Sequence, residues 1–294
     1  MLFRKIALVG VGLLGGSLAL AIRERKLAPL LQGYVRRDAT VAECERVGLN
    51  DFAKREVTAA VKDAELVILC TPLAQMRPLM EQMRPFLQRD AVISDVGSVK
   101  AVVVSELEPL AADSGAHFIG AHPMAGAEKM GVLAARADLF INAICVLTPT
   151  AKTNVTAQKK LAEFWKAVGC RVLELSPALH DELVARCSHL PHVLAAALAN
   201  FVLDSARPKE QPLLCANGFR DTTRIASGSP EMWRDIAMAN RAQLAEALHA
   251  LIGSLEEIRR AVESADSPAL EKLFATAKQR RDAWCASSAS PSPE

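Results

Sequence analysis

Aromatic side chains are scarce in this sequence. One tyrosine, three tryptophans and nine phenylalanines make up 4% of 294 residues. A core must therefore come from Leu, Ala, Val and Ile, and the 51% hydrophobic content supplies it amply. Charge of one sign is lacking too. The 35 basic and 33 acidic residues leave a net +2, with no concentrated basic face of the kind that nucleic-acid binding needs. Cysteine is present but unpatterned. Seven residues, with no C-x-x-C pair, suit neither a disulfide framework nor a zinc ribbon. Free, mostly buried thiols in a reducing compartment are expected instead. No apolar run approaches the ~20 residues of a membrane span, and no basic-then-apolar leader precedes the strand-like RKIALVG. The expectation is a soluble, cytoplasmic protein without membrane or nucleic-acid partners.

What is present is alternation. Up to Ser176, short apolar runs bounded by Gly, Pro or Asp are followed by helical patterns. The strand candidates are Ile6–Val9, Leu31–Val35, Leu66–Cys70, Ala91–Asp95, His117–Ala121, Ala143–Thr148 and Arg171–Leu175. Strands alternating with helices predict an α/β fold with a doubly wound parallel sheet. From Pro177 the alternation gives way to long Ala/Leu-rich helices. One is expected to start at SGSPEMW, with Ser229 as N-cap, Pro230 first and Glu231 in the first turn. Within it Leu244, Leu248, Leu251, Leu255, Ile258 and Val262 make a 4-3-4-3-4 seam for another helix, in the same chain or in a dimer partner. The division expected is 1–176, a dinucleotide-binding domain; 177–284, a helical substrate and dimerisation domain; and 285–294, a structureless tail.

The glycine spacing gives a reason for the first label. KIALVGVGLLGGSLALAIRER places Gly10, Gly12 and Gly15 between an apolar strand and an Ala/Leu helix. That context is what a dinucleotide fingerprint requires. Gly10 permits the turn, Gly12 lets the pyrophosphate approach, Gly15 lets helix and strand pack, and the helix N-terminus faces the phosphates. Leu13 and Leu14 open that helix, and Thr71 and Pro72 end the strand beside it. Strand two closes with GYVRRDA, where Val35 stands at the position of the acid that would bind an NAD ribose. Arg36 and Arg37 follow, and their guanidiniums suit a 2′-phosphate. NADP is expected, with NAD use through Asp38 as the alternative. A nicotinamide cofactor implies hydride transfer, so the protein must orient the substrate and supply a proton acceptor.

Two strand ends carry groups that could serve. ISDVGSVK offers Asp95, Ser98 and Lys100, and GAHPMAGAE offers His122 and Glu128. A histidine with an ordinary pKa near 6.5 is a natural general base, and Ser98 could fix its tautomer. Further on, HDELVARCSHLPH places His189 and His192 three apart on one helical face, with Pro191 expected to kink the helix. H-x-x-H lacks the i,i+4 spacing of a helical zinc pair, so no metal is expected. FRDTTRIASGSPEMWRD then supplies Arg220, Asp221, Arg224, Trp233 and Arg234, where an arginine could clamp a carboxylate.

Taken in order, VGVGLLGGSLALAIR, SDVGSVK, GAHPMAGAE, HDELVARCSHLPH and FRDTTRIASGSPEMWRDI closely resemble the prephenate/arogenate (cyclohexadienyl) dehydrogenase family of tyrosine biosynthesis, over about Lys5 to Trp284. The resemblance implies a Rossmann-like domain followed by a helical one, a homodimer through the helical halves, and oxidative decarboxylation of a cyclohexadienol. It makes His122 the catalytic base and has Ser98 orient it and contact the substrate hydroxyl or nicotinamide. Arg224 would bind the substrate carboxylate, and His192 would be a polar pocket group. Trp233 would wall the site, from the same chain or the partner. Asp221 and His189 would orient substrate or support structure. Glu128 or Asp221 could favour arogenate's ammonium over prephenate's pyruvyl group. Tyrosine feedback, if present, would act as product competition. Rival readings are an NAD-dependent prephenate dehydrogenase, a related NADP-dependent hydroxyacid or imine dehydrogenase, and a dinucleotide-sensing dimer without catalysis.

Overall fold

The computed structural model describes residues 2–127, 129–204 and 206–289. They form two compact units, Met1–Leu244 and Ala245–Glu294. In the first, β1 (Lys5–Val9) leads into α1 (Leu13–Glu24), β2 (Leu30–Tyr34) into α2 (Asp38–Arg46), and the two-residue β3 (Ala53–Lys54) into α3 (Val57–Val61). β4 (Leu66–Leu69) leads into α4 (Leu73–Met83) and β5 (Val92–Asp95) into α5 (Ala101–Ala112). β6 (His117–Pro123) and β7 (Ile144–Thr148) follow, and α6 (Val155–Val168) joins β7 to β8 (Arg171–Glu174). The sheet order is β3-β2-β1-β4-β5-β6-β7-β8.

All seven expected strands are present, within a residue or two at their ends. Two features depart from expectation. β3 is an eighth strand, too short to show an apolar pattern. The sheet is also not wholly parallel: β6 and β7 pair antiparallel, with His122 opposite Val146, so β7 and β8 run against the other six. The central strands β1, after Lys5, and β4 are apolar because helices cover both faces. Successive residues point to opposite faces. Leu8 packs into the cluster with Leu18, Ile22 and Trp165, whereas Ala7 and Val9 pack with Val67, Met80 and Leu107 on the other.

β8 ends at Glu174 and α7 (Pro177–Val184) begins after Ser176, whose hydroxyl accepts the Leu179 N–H at 3.2 Å. α7 runs through a π-helical turn, Ala185–His189, into α8 (Leu190–Leu203). Pro191 explains the wide turn: it has no N–H for the carbonyl four residues back, and its ring would clash there. The kink expected from Pro191 is thus a π turn preceding it. α9 (Asn217–Thr223), a 3₁₀ turn (Arg224–Ser227) and α10 (Pro230–Ala239) complete the unit. Ser229 caps α10 as its sequence predicts, accepting Met232 N–H at 3.3 Å. The change of pattern falls at Ser176, but the compact units divide at Leu244. Residues 177–244 group with the sheet because α7 docks on α5, as described below.

The helix from Ser229 does not continue through the leucine seam. It stops at Ala239, Asn240 turns, and α11 (Arg241–Glu263) starts afresh. The second unit holds most of α11 together with α12 (Ser267–Ala289). On α11 the seam leaves Leu255 and Val262 exposed. α12 corrects the expected tail for 285–289. Ser and Ala there do not stop a helix, and no proline intervenes before Pro291. Residues 290–294 lie outside the described part. Among the described residues no helix is long and apolar enough to cross a membrane.

Candidate active site

The chain leaves β1 for β2 on one side and returns to β4 on the other. This reversal opens a crevice at the carboxyl ends of β1 and β4. The glycine loop borders it. Gly10 has φ of 100°, a left-handed conformation that suits glycine. A Cβ on Gly15 would sit 2.1 Å from the Gly10 carbonyl oxygen, so α1 can approach the turn only without one. A Cβ on Gly12 would meet nothing within 4 Å. That open side faces the start of α1, where no side chain caps the first N–H groups. Leu13 and Leu14 begin the helix. Thr71 turns its methyl towards Gly10, its hydroxyl is buried without a partner among the described residues, and Pro72 is the N-cap of α4. Free helix N–H groups, an unfilled approach and an orphaned hydroxyl fit a bound pyrophosphate. Beyond β2, Val35 is buried, Arg36 and Arg37 are exposed, and Asp38 is ion-paired with Arg55 at 2.7 Å.

β5 and β6 deliver the second group of residues. Asp95, fully buried at the end of β5, accepts the Gly97 N–H at 2.8 Å and the Ala121 N–H at 3.1 Å. It also pairs with the Lys100 ammonium, which donates to the Ala121 carbonyl at 2.9 Å. This clamp fixes β6 one residue before His122. Burial pushes the Lys100 pKa down, against the attraction of Asp95 and then Asp181.

His122 is 7% exposed. Burial first, then the electrostatic influence of His180, Lys100 and His189 on its charged form, holds its pKa well below 6.5, so it is neutral near pH 7. Its Nδ1 lies 2.9 Å from His180 Nε2, and His180 Nδ1 lies 2.7 Å from Asp181 Oδ1. Asp181 also accepts two backbone N–H groups at the start of α5: Lys100 to Oδ1 at 2.7 Å and Ala101 to Oδ2 at 2.9 Å. A carboxylate from α7 thus caps α5, which has no side-chain cap of its own.

A second branch starts from Asn240. Its amide nitrogen donates to the Asp181 carbonyl at 2.8 Å and faces His189 Nδ1 at 3.2 Å. A nitrogen bonded to a carbonyl must be a donor, so His189 Nδ1 accepts and its proton sits on Nε2. Nε2 is buried. Burial is the largest influence on His189, whose pKa is lowered to about 4, and hydrogen bonding with the Ser98 backbone acts on the ring to raise it. His192 donates from Nδ1 to the Ser188 carbonyl at 3.0 Å and stacks on Trp233 of its own chain, ring centroids 3.6 Å apart. Trp233 meets His189 edge-on at 6.3 Å.

The structure therefore brings together His122, His189, His192 and Trp233 with Lys100 and Asp95. Ser98 lies half-buried in the loop before α5. No hydrogen bond joins it to His122 among the described residues, and His180 occupies Nδ1. Arg224 is exposed and opens the 3₁₀ turn that packs on α8, and Asp221 is exposed on α9. Glu128 falls outside the described residues. Sequence reasoning missed three participants. These are His180, Asp181 and Asn240, to which the sequence reading assigns no part in catalysis or binding. The HD pair directly after the Ser-Pro helix start was the available signal.

A switch-point crevice with a glycine cradle, beside a buried neutral histidine, defines a nicotinamide-dinucleotide-dependent oxidoreductase. Comparison with known proteins narrows the class. Residues 18–174 match the family described as "Prephenate dehydrogenase, nucleotide-binding domain", and 176–276 match "Prephenate dehydrogenase, dimerization domain". The prephenate dehydrogenase of Bacillus subtilis is 37% identical over 94% of this chain and 75% of its own length. The crystal structure of the Aquifex aeolicus prephenate dehydrogenase with hydroxyphenyl propionate and NAD+ superposes with a TM-score of 0.87, at 30% identity, over 95% of this chain and 98% of that one. The Synechocystis arogenate dehydrogenase structure gives 0.81 at 32% identity, over 95% and 99%. The chain belongs to the prephenate dehydrogenase family.

Proposed function

We propose that the protein oxidatively decarboxylates arogenate and prephenate, preferring arogenate and NADP, with His122 as general base. The carrying observation is His122 itself: buried, neutral near pH 7, engaged at Nδ1 and, among the described residues, not at Nε2. In this reading Nε2 takes the proton of the C4 hydroxyl. A bound nicotinamide would supply the acceptor for the hydride of C4. The forming ketone makes the ring carboxylate a leaving group, carbon dioxide departs, and the ring becomes aromatic. The chain then supplies positioning and base help, each worth several kcal/mol. Ser98 faces the hydroxyl or the nicotinamide, and Arg224 takes the side-chain carboxylate. His192 and Trp233 wall the pocket, and Asp221 or Glu128 would favour the ammonium of arogenate.

Gly10, Gly12, Leu13, Leu14, Gly15, Thr71 and Pro72 would hold the dinucleotide. Two observations support NADP: Arg36 and Arg37 are exposed just past β2, and Asp38 is held by Arg55. The helical part, 177–284, serves as dimerisation domain in a homodimer. The matched description and the exposed Leu255 and Val262 support it. The test is a four-way rate comparison, arogenate or prephenate with NADP or NAD, followed at the nicotinamide absorbance. Arogenate with NADP is expected to be fastest. Turnover of neither substrate with either cofactor overturns the reading, and a faster rate with NAD overturns the cofactor part.

A further inference from the structure

We infer that His180 and Asp181 form a positioning relay that locks His122 in the Nδ1–H tautomer, leaving Nε2 as its basic nitrogen. This rests on the reading of His122 as the base and names what makes it one. The polarity of the chain follows from its fixed end. Asp181 Oδ1 and Oδ2 receive backbone N–H groups from Lys100 and Ala101, donors that cannot be reversed. The same carboxylate faces His180 Nδ1, which must then carry a proton. His180 Nε2 is left with a lone pair and accepts from His122 Nδ1–H. His122 Nε2 is consequently unprotonated. Both His180 nitrogens are used, its side chain is fully buried, and its ring meets that of His122 edge-on at 5.1 Å.

The arrangement answers a problem posed by burial. A histidine cut off from water resists taking a proton. The relay gives the proton-bearing His122 a hydrogen-bonded path from Nδ1–H to a carboxylate, as the aspartate of a Ser-His-Asp triad does through one imidazole. It also links the base to domain packing, since Asp181 is the group by which α7 caps α5. Asn240 sets His189 the other way, with its proton on the buried Nε2. The cluster therefore holds one histidine with an unprotonated Nε2 and one with a protonated Nε2.

The test uses the full-length protein with ¹⁵N-labelled histidine and no ligand. In the wild type, His122 is expected to show a protonated Nδ1 and an unprotonated Nε2. His180→Phe, which keeps a ring and removes both nitrogens, should release His122 to the Nε2–H form. It should also lower kcat ~100-fold while changing KM less than ~3-fold. His180→Gln returns an amide oxygen to accept from Nδ1–H and should recover the Nδ1–H tautomer and most of kcat. An Nε2–H tautomer in the wild type overturns the relay. So does a His180→Phe enzyme with unchanged kcat, or a glutamine variant no better than phenylalanine. Should the phenylalanine variant not fold, the wild-type and glutamine spectra decide alone. The tautomer is read without substrate, so it separates failure of the relay from failure of the substrate assignment.

Discussion

The sheet and the junction between α7 and the sheet are held by different means. In the sheet, Leu8, Val67, Ile68 and their neighbours are fully buried among apolar side chains. At the junction, the buried groups are Lys100, His122, His180, Asp181, His189 and Asn240, joined by directional bonds. Apolar packing tolerates adjustment, whereas each polar group at the junction must keep its own partner or stand desolvated. The part of the molecule that holds the proposed base is built from the less forgiving material.

The largest expected effect bears on the junction's purpose. His122→Asn keeps a polar group in place but removes the base, and kcat should fall ~1,000-fold with KM within ~3-fold. Steady-state kinetics with the best substrate pair measures it. Turnover near normal would show the junction to be scaffolding only. The next compares the two materials directly. Asp181→Ala strands two backbone N–H groups and His180 Nδ1 and should cost about 3 kcal/mol. Ile68→Val in β4 should cost about 1 kcal/mol. Equal losses in chemical denaturation would erase the distinction.

The same distinction explains what could be read in advance. β1 and β4 are legible because buried parallel strands are continuous apolar runs, and the outer strands because Gly, Pro or Asp bounds them. His122 stood out because it ends one of them next to a turn. The relay was not legible because its bonds span 58 residues from His122 to His180 and 81 from Lys100 to Asp181. No local pattern marks a carboxylate that caps a helix so far back in the chain. Asn240 shows the limit most clearly. The helical period runs smoothly across it, yet the chain breaks there and its amide turns to Asp181 and His189.

The glycine crevice permits a smaller test at a distance from the junction. Replacing Arg36 and Arg37 with serine should lower kcat/KM for NADP about 10- to 100-fold, as loss of charge-assisted contacts to a phosphate does. The value for NAD should change little. An equal loss with both cofactors would assign the arginines to general charge instead of the 2′-phosphate.

The smallest effect concerns pH and follows from the junction's dryness. His189 has a folded pKa of about 4, against about 6.5 for an exposed histidine. Between those values the unfolded chain binds a proton that the folded chain does not, so stability rises with pH across the window. It is lost as pH falls below 6.5, by about 1 kcal/mol at pH 5.5 from this residue. His122 is shifted the same way and adds to the slope. Denaturation midpoints between pH 7 and 5 should fall for the wild type and fall less for His189→Gln. The same shift governs catalysis. A base must be unprotonated, so activity survives until pH falls through the folded pKa of His122. The acid limb of kcat/KM therefore belongs well below 6.5. A limb at 6.5 would mean that water reaches the ring, and that the polar junction is not dry enough to make its bonds matter.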